Sequence, residues 1–167
     1  MTYFYGQRRP ERKYRGTPQW TLDQLFITPF SARRRYDEEG IIHYDPIERN
    51  MYPTGIHVMD HFLQRLAAGN DRMNEFCNIY GLRTEDMDGL VYILTGMSGP
   101  EFRKAYRLRM VDELLRYTDM SFDEIAKRTG FGTHGNLCVV FRHSWGQSPT
   151  VRRKRLRNPR DVGRYIV

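Results

Sequence analysis

The stretch that decides the fold is GFGTHGNLCVVFRHSWGQSP, residues 130–149. An earlier stretch, GLRTEDMDGLVYILTGMSGP at residues 81–100, follows the same pattern, with one residue inserted in the later copy. In each copy a glycine ends one helix, a short turn follows, and apolar residues then recur at helical spacing. These apolar positions are Met87, Leu90, Val91 and Leu94 in the earlier copy and Leu137, Val140, Phe141 and Trp145 in the later one. The repeat predicts two helix-turn-helix units, because a solenoid would need roughly three or more repeats to bury a core.

The residues around the two copies predict an all-α fold. Apolar stripes indicate helices over 56–66 and 73–80, and capping boxes at Ser98–Glu101 and Ser121–Glu124 begin two more. The helix that starts after Ser98 is long, and its predicted buried face is Phe102, Tyr106, Met110, Leu114 and Leu115. We therefore predict two helix-turn-helix units joined by a long linker helix, with an irregular basic N-terminal arm.

The predicted organisation has three parts. Residues 1–55 form a basic N-terminal arm and irregular segment, with a short helix or strand in 21–30 and a short strand in 40–45. Residues 56–157 form the double helix-turn-helix domain, and residues 158–167 form a C-terminal tail. Within the domain, Thr133 or Gly132 caps the helix that carries Leu137 to Trp145, and Ser148-Pro149 begins a last, very basic helix.

Charge is distributed unevenly along the chain. Residues 1–35 hold 8 Lys and Arg against 2 Asp and Glu, residues 36–100 hold 4 against 11, and residues 101–167 hold 15 against 7. Basic ends rich in Arg favour a polyanionic partner, because each cation placed on a phosphate releases condensed counterions. The sequence has no apolar run near the ~20 residues of a membrane span and no signal peptide. We expect a cytoplasmic protein with Cys77 and Cys138 as reduced, packed thiols and with no membrane partner.

The stretch 107–152 resembles the AraC/XylS family of bacterial transcription regulators, and 56–98 more loosely resembles the first half of the same domain. The residues that carry the first resemblance are Arg107, Leu108, Leu114-Leu115, Thr118, Ser121, Glu124-Ile125-Ala126, Gly130-Phe131, Phe141, Gly146, Ser148-Pro149 and Arg152. Those that carry the second are Cys77, Gly81-Leu82, Met87 and Thr95-Gly96. The resemblance implies that the second helix of each unit enters the major groove of DNA, and that the protein is a bacterial, nucleoid-associated regulator of transcription.

In the second unit, residues of the recognition helix and of the basic helix after it are the predicted DNA contacts. An Asn can bond adenine, a His can donate to guanine, and Val or Cys can touch a thymine methyl group. A capped helix N-terminus can hold a phosphate, and a basic cluster can grip the backbone. The predicted DNA-binding residues are Thr133, His134, Gly135, Asn136, Cys138, Val139, Arg142, Arg152, Arg153, Lys154 and Arg155.

The first unit offers weaker candidates, because its outward face is acidic. Carboxylates are repelled by phosphates over about one Debye length, ~8–10 Å. The weaker DNA-facing candidates are Thr84, Glu85, Asp88 and Gly89, with Asp86 beside them. Binding is therefore expected mainly through the second helix-turn-helix unit.

No catalytic group is predicted, since no nucleophile and base, phosphate loop or pair of catalytic carboxylates can be assembled. His57 and His61 have a metal-binding spacing but no third ligand with matching spacing, so neither a metal nor a cofactor is predicted. Trp145, Phe141, Phe131 and Phe122 are assigned to the core and not to base stacking.

Three functions remain open at this point. The first is a sequence-specific DNA-binding regulator without a recognisable effector domain. The second is a degenerate helix-turn-helix module whose acidic first unit binds a basic protein, such as a transcription-apparatus subunit. The third is a non-specific architectural nucleic-acid binder that uses the Tyr- and Arg-rich arm.

Overall fold

A computed structural model describes residues 13–167; the first twelve residues of the predicted arm lie outside it. Within 13–167 there are eight helices and one small sheet. In chain order the elements are α1 (Leu22–Leu25), β1 (Ala32–Tyr36), β2 (Ile42–Pro46), α2 (His57–Ala67), α3 (Met73–Tyr80), α4 (Thr84–Thr95), α5 (Gly99–Tyr117), α6 (Phe122–Arg128), α7 (His134–Trp145), α8 (Pro149–Leu156) and β3 (Tyr165–Ile166). The predicted all-α class is confirmed for the body of the protein, and the sheet is an addition to it.

The helix boundaries follow local chemistry. Ser98 and Ser121 are N-caps whose hydroxyls accept from the backbone N–H of Glu101 and Glu124, and both glutamates return a bond to the cap. The hydroxyl of Thr133 accepts from the N–H of Asn136, so Thr133 and not Gly132 is the cap of α7. Each predicted helix of the two units is therefore present.

Two apolar clusters fill the body, and α5 belongs to both. Phe102, Tyr106 and Met110 of α5 pack in the cluster of the first unit with α2, α3 and α4. Its residues Leu108, Val111, Leu114 and Leu115 pack in the cluster of the second unit with α6 and α7. The linker helix thus contributes side chains to both apolar clusters, in agreement with its predicted buried face.

The segment before α2 is more ordered than predicted. Leu25 and Ile27 are buried in the first cluster and Phe30 in the second, and the backbone N–H of Ile27 donates to the Tyr106 hydroxyl at 3.0 Å. Burial raises the pKa of Tyr106 because the charged phenolate would lose its hydration. Residues 25–30 therefore pack against both units.

The sheet has the antiparallel strand order β2-β1-β3, so the C-terminal tail pairs with the N-terminal segment. The Tyr165 ring of β3 stacks on Phe30 at 4.9 Å and meets Tyr117 of α5 edge-on at 4.8 Å. The predicted strand at 40–45 corresponds to β2. The predicted short helix or strand in 21–30 is α1, whereas β1 and β3 were not foreseen.

Candidate nucleic-acid interface

Helix α7 presents one face that the core does not use. Leu137 and Phe141 are fully buried, while Val140 and Trp145 are half-buried beside them. On the opposite side, the exposed residues are Gly135, Asn136, Val139, Arg142 and His143. Their spacing places them on one stripe, which we call the outer face of α7.

The N-terminus of α7 is held by side chains at its edge. Thr133 is exposed and caps the helix, and the Asn136 amide donates to the Phe131 carbonyl at 3.3 Å. This bond fixes the amide near the helix start and leaves its oxygen as an acceptor. The exposed first turn offers an anion the partial positive charge of a helix N-terminus.

His134 and Cys138 differ from the other predicted contacts of α7, because each is half-buried. The His134 ring stacks on Phe122 with centroids 5.1 Å apart, and its backbone N–H lies 3.4 Å from the Asp123 carboxylate. Cys138 is a free thiol at the flank of the outer face. Both therefore border the exposed stripe.

Helix α4 carries the acidic residues predicted for the first unit, and the structure separates their roles. Asp86 accepts from both the backbone N–H and the guanidinium of Arg83, and these bonds hold the pKa of Asp86 below its ordinary value. One carboxylate oxygen of Asp88 is buried, and a Cβ added to Gly99 would lie 1.8 Å from it. Glu85 is exposed. Asp88 thus packs against the start of α5, and the exposed charge of α4 lies mainly on Glu85 and Asp86.

Thr84 and Gly89, the other weaker candidates, are both half-buried. Farther along α4, Ile93 is 66% exposed, and its carbonyl accepts from the Tyr14 hydroxyl at 3.0 Å. The Tyr14 ring meets the Tyr92 ring edge-on. Residues 13–20 therefore run beside the C-terminal end of α4.

The basic cluster of α8 divides into engaged and exposed residues. Arg152 makes two bonds to the Asp112 carboxylate and lies over the Trp145 ring at 4.4 Å. Arg153 donates to the Met120 carbonyl and lies over Phe122 at 4.6 Å, and burial lowers its pKa. Lys154 and Arg155 are exposed. Of the four predicted contacts on α8, Lys154 and Arg155 are therefore the two that the surrounding structure leaves exposed.

A polar junction between the two units escaped the sequence analysis. Asp71, before α3, accepts from Arg103 at 3.4 Å and from Arg107 at 3.1 Å, and Arg107 also donates to the Gly130 carbonyl. All three side chains are about four-fifths buried. The i,i+4 spacing of the two arginines on α5 was the available signal, but the sequence does not show which acid they meet.

Next to this junction the backbones of the two units come into contact. A Cβ on Gly69 would lie 2.2 Å from the Arg128 carbonyl, and one on Gly130 would lie 2.9 Å from the Gly69 carbonyl. No side chain fits between these two loops, so their separation is fixed by the main chain itself.

Other predicted features have ordinary surroundings. His61 contacts the Tyr80 hydroxyl at 2.7 Å, and the His57 ring centroid lies 6.4 Å from that of His61. No three potential metal ligands cluster anywhere in residues 13–167. In the same range, no helix has the length and apolar character needed to span a bilayer.

Known proteins similar to this chain contain helix-turn-helix domains. Residues 76–155 match the family model described as a helix-turn-helix domain. The transcriptional activator RhaR of Pectobacterium carotovorum is 31% identical over 96 residues, which are 58% of this chain and 34% of that protein. The RhaR of Pectobacterium atrosepticum is 30% identical over 96 residues, with the same coverage of both proteins. The chain spans about a third of the length of the curated relatives it matches.

Solved structures agree with this match. The DNA-binding domain of AdpA, a global transcriptional factor solved with a target DNA, superposes with a TM-score of 0.51 at 25% identity, over 59% of this chain and 88% of that one. The C-terminal domain of AraT, a response regulator from Geobacillus stearothermophilus, has a TM-score of 0.52 at 18% identity, over 59% and 82%. The second likeness is one of fold. The predicted fold class and family resemblance are confirmed.

Proposed function

We propose that the protein is a regulator of the AraC/XylS type that controls transcription by binding defined sequences of double-stranded DNA, since residues 76–155 match a helix-turn-helix family model and the relatives are transcriptional activators. The outer face of α7 carries this proposal. Asn136, Val139 and Arg142 are exposed there, and they combine an amide, an apolar group and a cation within two helical turns. That combination suits base edges in the major groove.

The remaining predicted residues have supporting roles in this proposal. Thr133 and the first turn of α7 position a phosphate, and Lys154 and Arg155 add cations on a neighbouring helix. Gly135 allows close approach of the backbone, while His134 and Cys138 border the contact. Arg152 and Arg153 support α8 from within, through Asp112, Trp145 and Phe122.

Selection of bound duplexes from a random library, followed by sequencing, tests the proposal. The full chain is expected to enrich a defined motif. Asn136→Ala with Arg142→Ala is expected to erase part of that motif, because both side chains project from the outer face of α7. Glu85→Ala with Asp86→Ala on α4 is the matched control and is expected to leave the motif unchanged. Enrichment of no motif by the parent chain would refute sequence-specific binding.

For the first unit we propose a protein contact. Glu85 and Asp86 at one end of α4 and the 66% exposed Ile93 at the other give an acidic and apolar surface. A basic surface on a transcription-apparatus subunit is the partner that this chemistry fits. Binding of purified transcription-apparatus subunits, measured without DNA for the parent chain and for its Glu85→Lys variant, tests this proposal. Equal binding by the parent and the variant would exclude this surface. A cytoplasmic, nucleoid-associated location is part of the same proposal.

A further inference from the structure

The outer edge of the sheet carries the inference. All five residues of β2 are exposed, and only β1 pairs with it among the described strands. An unpaired edge strand presents main-chain donors and acceptors to any second strand, and natural proteins usually cover or charge such an edge.

Apolar side chains concentrate around this edge. Of the eleven exposed large hydrophobic residues in 13–167, six lie on or next to the sheet, which marks it as the main unpartnered apolar surface. These six are Tyr36, Ile41, Ile42, Tyr44, Ile166 and Val167. Register places Tyr36 opposite Ile42 and Arg34 opposite Tyr44, so these residues share one face of the hairpin.

The hydrogen bonds show which β2 groups are unpaired. The N–H of Ile47 donates to the Ser31 carbonyl, and the Ile41 carbonyl accepts from Asp37. Because bonding alternates along an antiparallel pair, residues 41, 43, 45 and 47 turn their main chain toward β1. Ile42, Tyr44 and Pro46 turn theirs outward. The outward groups are two N–H donors and three carbonyl acceptors.

We propose that β2 pairs with β2 of a second copy of this chain, antiparallel and centred on Tyr44. In that register Tyr44 exchanges two backbone bonds with its equivalent, and Ile42 donates to the Pro46 carbonyl of the other copy. Proline at position 46 leaves the bonds to β1 intact because its nitrogen faces outward, but it gives the Ile42 carbonyl of the other copy no donor, so the pairing ends there. The two hairpins join into one six-stranded sheet.

Side chains single out this register. Centring on Tyr44 places His43 of each copy opposite Asp45 of the other, next to the Arg35–Asp45 ion pair at 2.8 Å and the His43–Asp37 contact at 2.7 Å. Centring on residue 43 would place His43 opposite itself, and centring on residue 45 would oppose two Asp45 carboxylates. Of these three registers, only the one centred on Tyr44 avoids opposing two identical ionisable side chains and sets each His43 against an Asp45, and this self-complementarity is the reason for choosing a second copy as the occupant.

Site-specific disulfide formation in the full chain tests the register. Residues at the centre of a hydrogen-bonded antiparallel pair have Cα atoms ~5.5 Å apart, which is within the range of a disulfide. In a Cys138→Ser background, Tyr44→Cys is therefore expected to form a covalent dimer on mild oxidation. Ile42→Cys is the matched control on the same strand: the two copies of residue 42 would lie four residues apart along the strands, ~14 Å, and should not cross-link.

Sedimentation equilibrium supplies the second measurement. Tyr44→Lys opposes two like charges at the centre and is expected to weaken dimerisation by about tenfold or more, which corresponds to ~1.4 kcal/mol. Tyr52→Lys is the control, because Tyr52 is 73% exposed and lies outside the sheet. Circular dichroism checks that each variant is folded. A monomer at all concentrations, a dimer unaffected by Tyr44→Lys, or a stronger cross-link at residue 42 or 43 than at residue 44 would each overturn the proposal.

Discussion

Helices α4 and α7 occupy corresponding positions in the two helix-turn-helix units. Each has twelve residues and ends at a left-handed glycine, Gly96 or Gly146. A shift of fifty residues superposes their buried positions, Met87 on Leu137 and Val91 on Phe141. The same shift places the acidic pair Glu85 and Asp86 on Gly135 and Asn136. The packing positions and the outward positions are separate sets, so one unit can keep its core and lose its chemistry toward DNA.

The largest expected effect tests the shared core. Phe141→Ala should lower the free energy of unfolding by ~3–5 kcal/mol, because it removes a fully buried ring from the second cluster. Met87→Ala should cost ~2–5 kcal/mol in the first cluster. Urea denaturation measures both. Val139→Ala is the control, because Val139 is 59% exposed and should change stability by no more than ~0.5 kcal/mol. A loss for one unit alone would show that the two cores are not equivalent.

The next effect distinguishes two glycines that hold the same place in the repeat. Gly81 and Gly130 both have a positive φ, so alanine at either is expected to cost ~1–2 kcal/mol. Only Gly130 lies against another backbone, the Gly69 carbonyl, whereas nothing approaches Gly81 within 4 Å. Gly130→Ala should therefore cost ~1–3 kcal/mol more than Gly81→Ala in thermal unfolding. Equal losses would contradict the close contact between the units.

A third effect concerns discrimination between DNA sequences. His134→Ala with Asn136→Ala should reduce the preference for a selected site over random DNA by ~1–3 kcal/mol per lost base contact. Glu85→Ala with Asp86→Ala should keep the preference and raise affinity for both DNAs by removing repulsion. Competition binding at fixed salt measures both. A larger loss of preference from the α4 pair would show that the first unit reads the sequence.

A smaller effect separates the exposed from the engaged cations of α8. Lys154→Gln with Arg155→Gln should flatten the plot of log K against log salt by up to ~0.9 per lost phosphate contact, on all sequences alike. Arg152→Gln should instead lower stability, because it leaves the Asp112 carboxylate without its bidentate partner. Salt titrations and denaturation of both variants test this division. An unchanged slope for the first variant would place Lys154 and Arg155 outside the contact.

The smallest effect is on pH dependence. The bonds from Arg83 lower the pKa of Asp86, so they add stability to the start of α4 above the ordinary carboxyl pKa. That stability should be lost as pH falls through the lowered pKa. The start of α7 is capped by the Thr133 hydroxyl, which does not titrate there. As the pH falls, amide hydrogen exchange should therefore become faster in the first turn of α4 but not in that of α7. Equal acceleration in both turns would contradict this difference between the two helix starts.

Local chemistry explains what the sequence analysis predicted well. Capping boxes at Ser98 and Ser121 and the apolar stripes fix helix starts and buried faces within a few neighbouring residues. The pairing of β1 with β3 joins residues more than a hundred positions apart, and β1 contains three consecutive arginines, so no alternation of apolar residues in the sequence predicts either strand.

The candidate site was predictable as a helix face but not residue by residue. The outer face of α7 follows from periodicity, because the buried positions determine the opposite side. Arg152 and Lys154 look alike in sequence, yet one meets Asp112 and Trp145 and the other is exposed. Such partners come from distant elements, and charge patterning along the chain does not contain them.

The contact between the loops at Gly69 and Gly130 bears on how this protein would fit DNA. Since two backbones touch there without an intervening side chain, the spacing of these two loops cannot be adjusted by rotamer changes. Any bend that carries a duplex bound to α7 past the acidic α4 would then come from the duplex. We expect flexible pyrimidine–purine steps beside the segment contacted by α7 to favour binding, although no protein group touches those base pairs.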